Sequence, residues 1–215
     1  MAKKHKPQQS SSLPQVYQGR KTIYYGPMRS GKSLELINFA NRNPFVENWQ
    51  AFKPVIDTRD MGIIRSRGID TTIKCTQVNY ARQIIGMISK DSKTILLDEI
   101  NLFDADGLMY LLEYITLELG MDVVAAGLDR DFKKEWFVLP GQETEPDGDR
   151  MTMEQLLQEF DYQYGLTAKC AVCECPAQYT QRLVDGKPAK RSEPLVVIGD
   201  LEYEPRCAVC HKMGP

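Results

Sequence analysis

The stretch Gly26-Pro27-Met28-Arg29-Ser30-Gly31-Lys32-Ser33 fits the pattern G-x4-G-K-[ST]. A β-branched and aromatic run, Thr22–Tyr25, precedes it, and a helical pattern follows over Lys32–Asn41. Glycines allow backbone N–H groups to converge on an anion, and a helix N-terminus adds its dipole. We therefore expect Lys32 to face the terminal phosphates of a nucleotide and the Ser33 hydroxyl to be a ligand of Mg²⁺. The alternative is a glycine-rich turn before a helix.

Strand and helix patterns alternate after this loop. Further strands are predicted at Gln50–Ile56, Thr94–Asp98 and Asp122–Ala126. Further helices are predicted at Tyr80–Lys90, Asp104–Leu119 and Met153–Phe160. This alternation is typical of an α/β fold built on a parallel sheet.

An acidic pair, Asp98-Glu99, ends the apolar run Thr94–Asp98. Ligands bind at the carboxyl ends of strands in such sheets, so Asp98 is expected to help hold Mg²⁺ through water. Glu99 is expected to position a hydroxyl or a water and accept its proton. Both side chains can serve one site only if the strand ends there, because successive side chains on a strand diverge. The alternative for Asp98 is an acid that only caps the strand.

Overall charge and hydropathy exclude several classes of protein. The 215 residues include 27 basic and 29 acidic side chains, giving a net charge of −2, so we expect no nucleic-acid partner. No apolar run approaches the ~20 residues of a membrane span, so no membrane partner is expected. Residues 1–18 read as a disordered tail without a secretory signal, which favours a cytoplasmic location.

The cysteines indicate a metal site. Cys170-x2-Cys173 and Cys207-x2-Cys210 supply the four thiolates that a tetrahedral structural Zn²⁺ needs. The alternatives are unligated cysteines or a redox pair. We expect Cys175, His211 and Cys75 not to be ligands.

The chain is expected to divide into the tail 1–18, a nucleotide-binding domain 19–164 and a zinc-binding domain 165–215. Between the cysteine pairs, Thr180–Val184 and Leu195–Ile198 are predicted to pair as strands, with Asp185–Glu193 at the tip.

Taken in order, these pieces resemble the type II thymidine kinases, the tetrameric, zinc-containing class. The stretches that carry the resemblance are YYGPMRSGKS, KPVIDTRD with IRSRG, LLDEINLF, AGLDRDFKKEWF, LTAKCAVC with AQYTQR, and VVIGDLEYEPRC with AVC. The resemblance implies a RecA-like P-loop parallel sheet with a small C-terminal zinc-binding domain that carries a lasso loop. It implies transfer of the γ-phosphate of ATP to the 5′-hydroxyl of thymidine with Mg²⁺. A homotetramer and feedback inhibition by dTTP are also implied.

The resemblance further implies a role for individual residues. Glu99 would be the general base, and Asp57 and Arg59 would lie near the phosphates held by the loop Gly26–Ser33. The residues implied to contact the nucleoside are Met28, Leu102, Phe132, Phe137, Thr167, Val196, Val197, Ile198, Gly199 and Tyr203. The zinc ligands would be Cys170, Cys173, Cys207 and Cys210.

The chain also departs from the family pattern. Arg29 stands where Phe is common, and Asn101 and Leu102 replace the usual Gln-Phe. Two other functions remain open at this point: a zinc-containing P-loop ATPase acting on DNA, and a catalytically inactive nucleotide-binding scaffold. The intact Lys32 and Glu99 argue against the scaffold.

Overall fold

A computed structural model of the chain describes residues 17–42, 48–66, 68–141, 150–197 and 202–215. The strands are β1 (Lys21–Tyr25), β2 (Trp49–Pro54), β3 (Ile63–Ser66), β4 (Thr71–Lys74), β5 (Thr76–Val78), β6 (Thr94–Leu97), β7 (Asp122–Gly127), β8 (Tyr162–Gly165), β9 (Ala168–Lys169), β10 (Pro176–Ala177), β11 (Tyr179–Val184), β12 (Lys187–Pro188) and β13 (Tyr203–Arg206). The α-helices are α1 (Lys32–Asn41), α2 (Ala105–Glu113) and α3 (Met153–Leu157). Most of the predicted tail, residues 1–16, lies outside the described residues.

Six of these strands form one parallel sheet in the order β5-β2-β6-β7-β1-β8. All four residues of β6 are buried, as expected for a strand covered on both faces. The predicted α/β fold with a parallel sheet is therefore confirmed. Because the strands are parallel, the segments that follow β1, β2, β6 and β7 begin at the same edge of the sheet.

Alternate side chains of the central strands enter two separate apolar layers. Val123 and Ala125 of β7 pack into the layer that contains α2 and α3. Val124 and Ala126 pack into the opposite layer, which contains α1 and the β3–β4 hairpin. The strand period of two thus divides the core between the two faces of the sheet and covers both.

Three predicted helices differ from the structure, and one of them, predicted over Met153–Phe160, ends at Leu157. The segment predicted as a helix at Tyr80–Lys90 is a 3₁₀ helix over Ala81–Met87, a segment that contains Gly86 and two successive isoleucines, which are poor α-helix formers. The helix predicted over Asp104–Leu119 ends as an α-helix at Glu113 and continues as a π-helix over Tyr114–Glu118. None of the helices in the described segments has the length and apolar character of a membrane span.

The C-terminal module consists of a β9–β10 pair and the antiparallel sheet β12-β11-β13. The predicted pairing of Thr180–Val184 with Leu195–Ile198 is wrong. Residues Asp185 and Gly186 have φ values of 50° and 74°, and this tight turn returns the chain at once to β12. The other edge of β11 pairs with β13, so Leu195–Val197 form no strand, and Ile198 lies outside the described residues.

Candidate active site

The loop between β1 and α1 adopts a conformation that needs glycine at two positions. Gly26 has φ 141°, and a Cβ atom there would lie 2.3 Å from the carbonyl oxygen of Leu166. Gly31, with φ 92°, directly precedes the first turn of α1. The predicted helix bounds, Lys32–Asn41, are confirmed. The loop therefore presents backbone N–H groups at a helix N-terminus, where an anion is favoured.

Lys32 is buried at the base of this loop. Its Nζ donates a 2.7 Å hydrogen bond to the carbonyl oxygen of Pro27. Burial lowers the pKa of Lys32, and the nearby carboxylates of Glu99 and Asp98 oppose this shift. The amine is thus positioned beside the loop in a site with an acidic wall.

Ser33 and Asp98 meet across the site. The Ser33 hydroxyl lies 3.3 Å from both carboxylate oxygens of Asp98. Burial raises the pKa of Asp98 to about 7, and the neighbouring charge of Glu99 adds to the effect. A hydroxyl and a buried carboxylate are hard oxygen donors, so this pair fits Mg²⁺, whose charge would favour the ionised carboxylate.

The strand β6 ends at Leu97, which allows Asp98 and Glu99 to line the same cavity. Glu99 has φ 50°, a left-handed conformation that is uncommon for a residue other than glycine. Its Oε1 accepts a 2.5 Å hydrogen bond from the Nη2 of Arg59. The condition set by the sequence, that the strand must end before both acids can share a site, is met.

Asp57 and Arg59 follow β2 at the same edge of the sheet. Buried Asp57 accepts hydrogen bonds from Arg59 Nε at 2.6 Å and from Lys53 Nζ at 3.1 Å. Burial alone would raise the pKa of Asp57, but these two cations outweigh it and the pKa is lowered. Sequence reasoning missed Lys53, although a lysine inside a mostly apolar strand was a usable signal.

These groups surround a cavity of about 570 Å³. The residues predicted to contact the nucleoside that line it are Met28, Leu102, Phe132, Phe137, Val196, Val197 and Tyr203. Thr167 is exposed and does not line the cavity, whereas Thr180 does. Ile198 and Gly199 lie outside the described residues. The cavity thus has a charged end beside the loop Gly26–Ser33 and an apolar end.

Asn101, one of the departures from the family pattern, borders this cavity. Its Oδ1 accepts a 2.9 Å hydrogen bond from the N–H of Leu128. This bond fixes the orientation of the amide, because a flipped amide would set two donors against each other. Its Nδ2 is buried and has no hydrogen-bond partner among the described residues.

The C-terminal module supplies the last part of the wall. The N–H of Val197 donates to the hydroxyl of Tyr203 at 3.2 Å. His211 Nε2 lies 2.9 Å from the carbonyl oxygen of Phe132, so this nitrogen carries a proton and donates. Sequence reasoning predicted that His211 is not a metal ligand, but it missed this contact between the C-terminal module and the segment that follows β7.

The Sγ atoms of Cys170, Cys173, Cys207 and Cys210 all lie within 4.8 Å of one another. The Cys173 sulfur is 3.7 Å from that of Cys207 and 3.6 Å from that of Cys210. Tetrahedral zinc with Zn–S bonds of ~2.3 Å separates its sulfurs by about 3.8 Å, so the cluster is compatible with a structural zinc. Among the described residues, neither Cys175 nor His211 belongs to this cluster.

A parallel sheet whose first strand leads into a G-x4-G-K-S loop, with acids at the end of a nearby strand, defines a P-loop nucleotide-binding protein. A sequence model of the thymidine kinase family matches residues 19–211, which is nearly all of the chain outside the tail. The chain belongs to the thymidine kinase family, and the resemblance seen in its motifs is confirmed.

Proposed function

We propose that the protein is a thymidine kinase that transfers the γ-phosphate of ATP to the 5′-hydroxyl of thymidine, giving dTMP and ADP. The observation that carries this proposal is the shared cavity. The loop lysine Lys32, the acid Glu99 and the apolar residue Phe132 all line it. Such a cavity can hold a triphosphate at one end and a nucleoside at the other, with the reacting groups between them.

At the donor end, the loop Gly26–Ser33 cradles the phosphates of ATP, with Lys32 against the terminal ones. Ser33 and Asp98 would hold Mg²⁺, which would supply positive charge to offset that of the phosphates. Their 3.3 Å separation and the burial of Asp98 support this assignment.

At the centre, Glu99 accepts the proton of the 5′-hydroxyl of thymidine. The oxygen of that hydroxyl forms a bond to the γ-phosphorus of ATP. The bond from that phosphorus to the bridging oxygen breaks, and ADP leaves with the electron pair. Arg59 orients Glu99 through their hydrogen bond, and its charge offsets the negative charge on the transferred group. Asp57 in turn holds Arg59.

At the acceptor end, the base lies among aromatic and aliphatic side chains. Phe132 and Phe137 stack along it, Met28 faces the thymine methyl group, and Tyr203 contacts the nucleoside. Leu102, Val196 and Val197 complete the apolar wall. Ile198 and Gly199 are proposed to contribute main-chain contacts from the lasso loop. The polar groups of the site pair with those of one base. When a different base enters, the polar groups of the site are left unpaired, and this penalty provides the selectivity.

We also propose that the four clustered cysteines bind one structural Zn²⁺, which fixes the module that carries the acceptor-side wall. We further propose a homotetramer, feedback inhibition by dTTP and a cytoplasmic location, as the resemblance to the type II class implies.

The proposal is tested by measuring phosphorylation by ATP of a panel containing thymidine, deoxyuridine, deoxycytidine, deoxyadenosine and deoxyguanosine. The expected result is Mg²⁺-dependent formation of dTMP with the highest kcat/KM for thymidine. ATP hydrolysis that is stimulated by DNA, without phosphorylation of any nucleoside, would contradict the proposal and favour a DNA-acting ATPase.

A further inference from the structure

Arg182 of β11 is buried in the C-terminal module, with a relative exposure of 4%. Its Nη1 donates a 2.5 Å hydrogen bond to the carbonyl oxygen of Pro194. Its Nη2 lies 3.7 Å from Oε2 of Glu202. Pro194 precedes the wall residues Leu195–Val197, and Glu202 precedes the wall residue Tyr203. One guanidinium therefore contacts the chain on both sides of this wall.

The same guanidinium also lies near two aromatic rings. Its central carbon is 5.7 Å from the ring centroid of Phe132 and 6.0 Å from that of Tyr203, both within the range of cation–π attraction. Phe132 lies beyond β7, in the first domain, whereas Tyr203 begins β13. Arg182 thus joins three segments that are distant in sequence, and the two rings that it contacts both line the cavity.

Stability alone does not account for an arginine at this position. Burying a charged group is costly, and the Nε of Arg182 has no hydrogen-bond partner among the described residues. A guanidinium can, however, donate in several fixed directions and stack on aromatic faces at the same time, which a lysine ammonium cannot do. The contacts of Arg182 use this property.

We propose that Arg182 is a positioning residue that holds Pro194, Tyr203 and Phe132 in register and so sets the shape of the acceptor-side wall. It does not contact the reacting atoms. That the wall receives thymidine rests on the function proposed above, but the clamp itself is defined by the contacts of Arg182 alone.

The test compares Arg182→Met and Arg182→Lys with the wild type, and uses Arg191→Met as a matched control. Arg191 lies in the same segment as Pro194 and, like Arg182, pairs with a glutamate. Its partner is Glu135, and both of these side chains are exposed. An exposed ion pair of this kind contributes little. Zinc content and thermal unfolding are measured for every variant.

We expect the thymidine KM of Arg182→Met to rise by about tenfold, the effect of losing a charge-assisted hydrogen bond. The ATP KM and the zinc content of Arg182→Met should change by less than about twofold. The thymidine KM of Arg182→Lys should lie between those of the wild type and Arg182→Met. A thymidine KM equal to that of Arg191→Met, or equal increases in both KM values, would overturn the proposal. If Arg182→Met does not fold, Arg182→Lys decides by the same criteria.

Hydrogen exchange without substrate separates this inference from the proposed function. Amides of Leu195–Val197 and Tyr203 should exchange faster in Arg182→Lys than in the wild type, whereas those of β7 should not change. Faster exchange in an enzyme that does not phosphorylate thymidine would support the clamp and reject the function. Unchanged exchange in an active thymidine kinase would reject the clamp alone.

Discussion

The N–H of Met28, in the loop Gly26–Ser33, donates a 3.0 Å hydrogen bond to the side-chain oxygen of Thr180 in β11. These residues are 152 positions apart in sequence. The bond links the loop Gly26–Ser33 directly to the strand that also carries Arg182. The loop geometry therefore depends on the C-terminal module as well as on its own glycines.

Replacing Thr180 by valine should disturb the loop Gly26–Ser33. The variant keeps the shape of the side chain but leaves the part-buried N–H of Met28 without an acceptor, which costs about 1 kcal/mol, the lower end of the range for an unsatisfied donor. We expect a fall of this size in the free energy of unfolding, measured by urea denaturation, and a higher KM for ATP. Thr180→Ser keeps the hydroxyl and is the control. Equal free energies of unfolding and equal KM values for ATP in the two variants would show that the hydrogen bond does not contribute.

Replacing Lys53 by methionine should destabilise the protein. Asp57 would keep Arg59 as a partner but lose the buried cation on its other side. Removing one partner of a buried ion pair costs about 3–5 kcal/mol, and the remaining arginine places this case near the lower value. Urea denaturation of Lys53→Met and of the double variant Lys53→Met/Asp57→Asn provides the measurement. The double variant should recover part of the loss, and no recovery would argue against an unpaired charge as the cause.

Much of this fold could be predicted from local patterns. The loop Gly26–Ser33 and the bounds of α1 follow from residue types at fixed spacings, and the strands β6 and β7 follow from continuous apolar runs. These signals are local because each reflects the conformation of one short segment. The four-cysteine cluster was predictable for a different reason: each Cys-x2-Cys pair is a local pattern, and a tetrahedral zinc site needs four ligands, so the two pairs were expected to meet.

Contacts between distant segments were not predictable in this way. The sequence offers Thr167 and Thr180 as similar threonines, and only the path of β11 brings the second one to the loop. The partner of β11 also depended on the turn at Asp185, which gave one edge of the strand to β12 and left the other for β13. Strand pairing is a tertiary property that local propensity does not determine.

Replacing Glu99 by glutamine should slow catalysis while leaving nucleotide binding intact. Glutamine has the same shape and can still face Arg59, but it cannot accept the 5′-hydroxyl proton. We expect kcat to fall by at least ~10²-fold, the lower end of a general-base contribution. The ATP dissociation constant, measured by calorimetry, should stay within about twofold of the wild-type value. A kcat close to that of the wild type would remove Glu99 from this role.

The cysteine cluster should contain one zinc ion per chain. Cys173→Ser should lose the metal and destabilise the module, because four thiolates complete the tetrahedral site. Cys175→Ser is the matched control, since Cys175 is nearby but lies outside the cluster, and it should keep its zinc. Elemental analysis together with thermal unfolding measures both effects. Zinc loss from the Cys175 variant, or full stability of the metal-free Cys173 variant, would contradict the assignment.

The central claim is that a phosphate donor and a nucleoside react within the one cavity. The most direct measurement follows ³²P from γ-labelled ATP into thymidine, with wild-type protein and with Lys32→Met, which removes the loop cation at nearly constant size. The account predicts label on the 5′-oxygen of thymidine with the wild type, and a rate at least ~10²-fold lower with the variant. Label appearing only as free phosphate, or equal transfer by the two proteins, would contradict it.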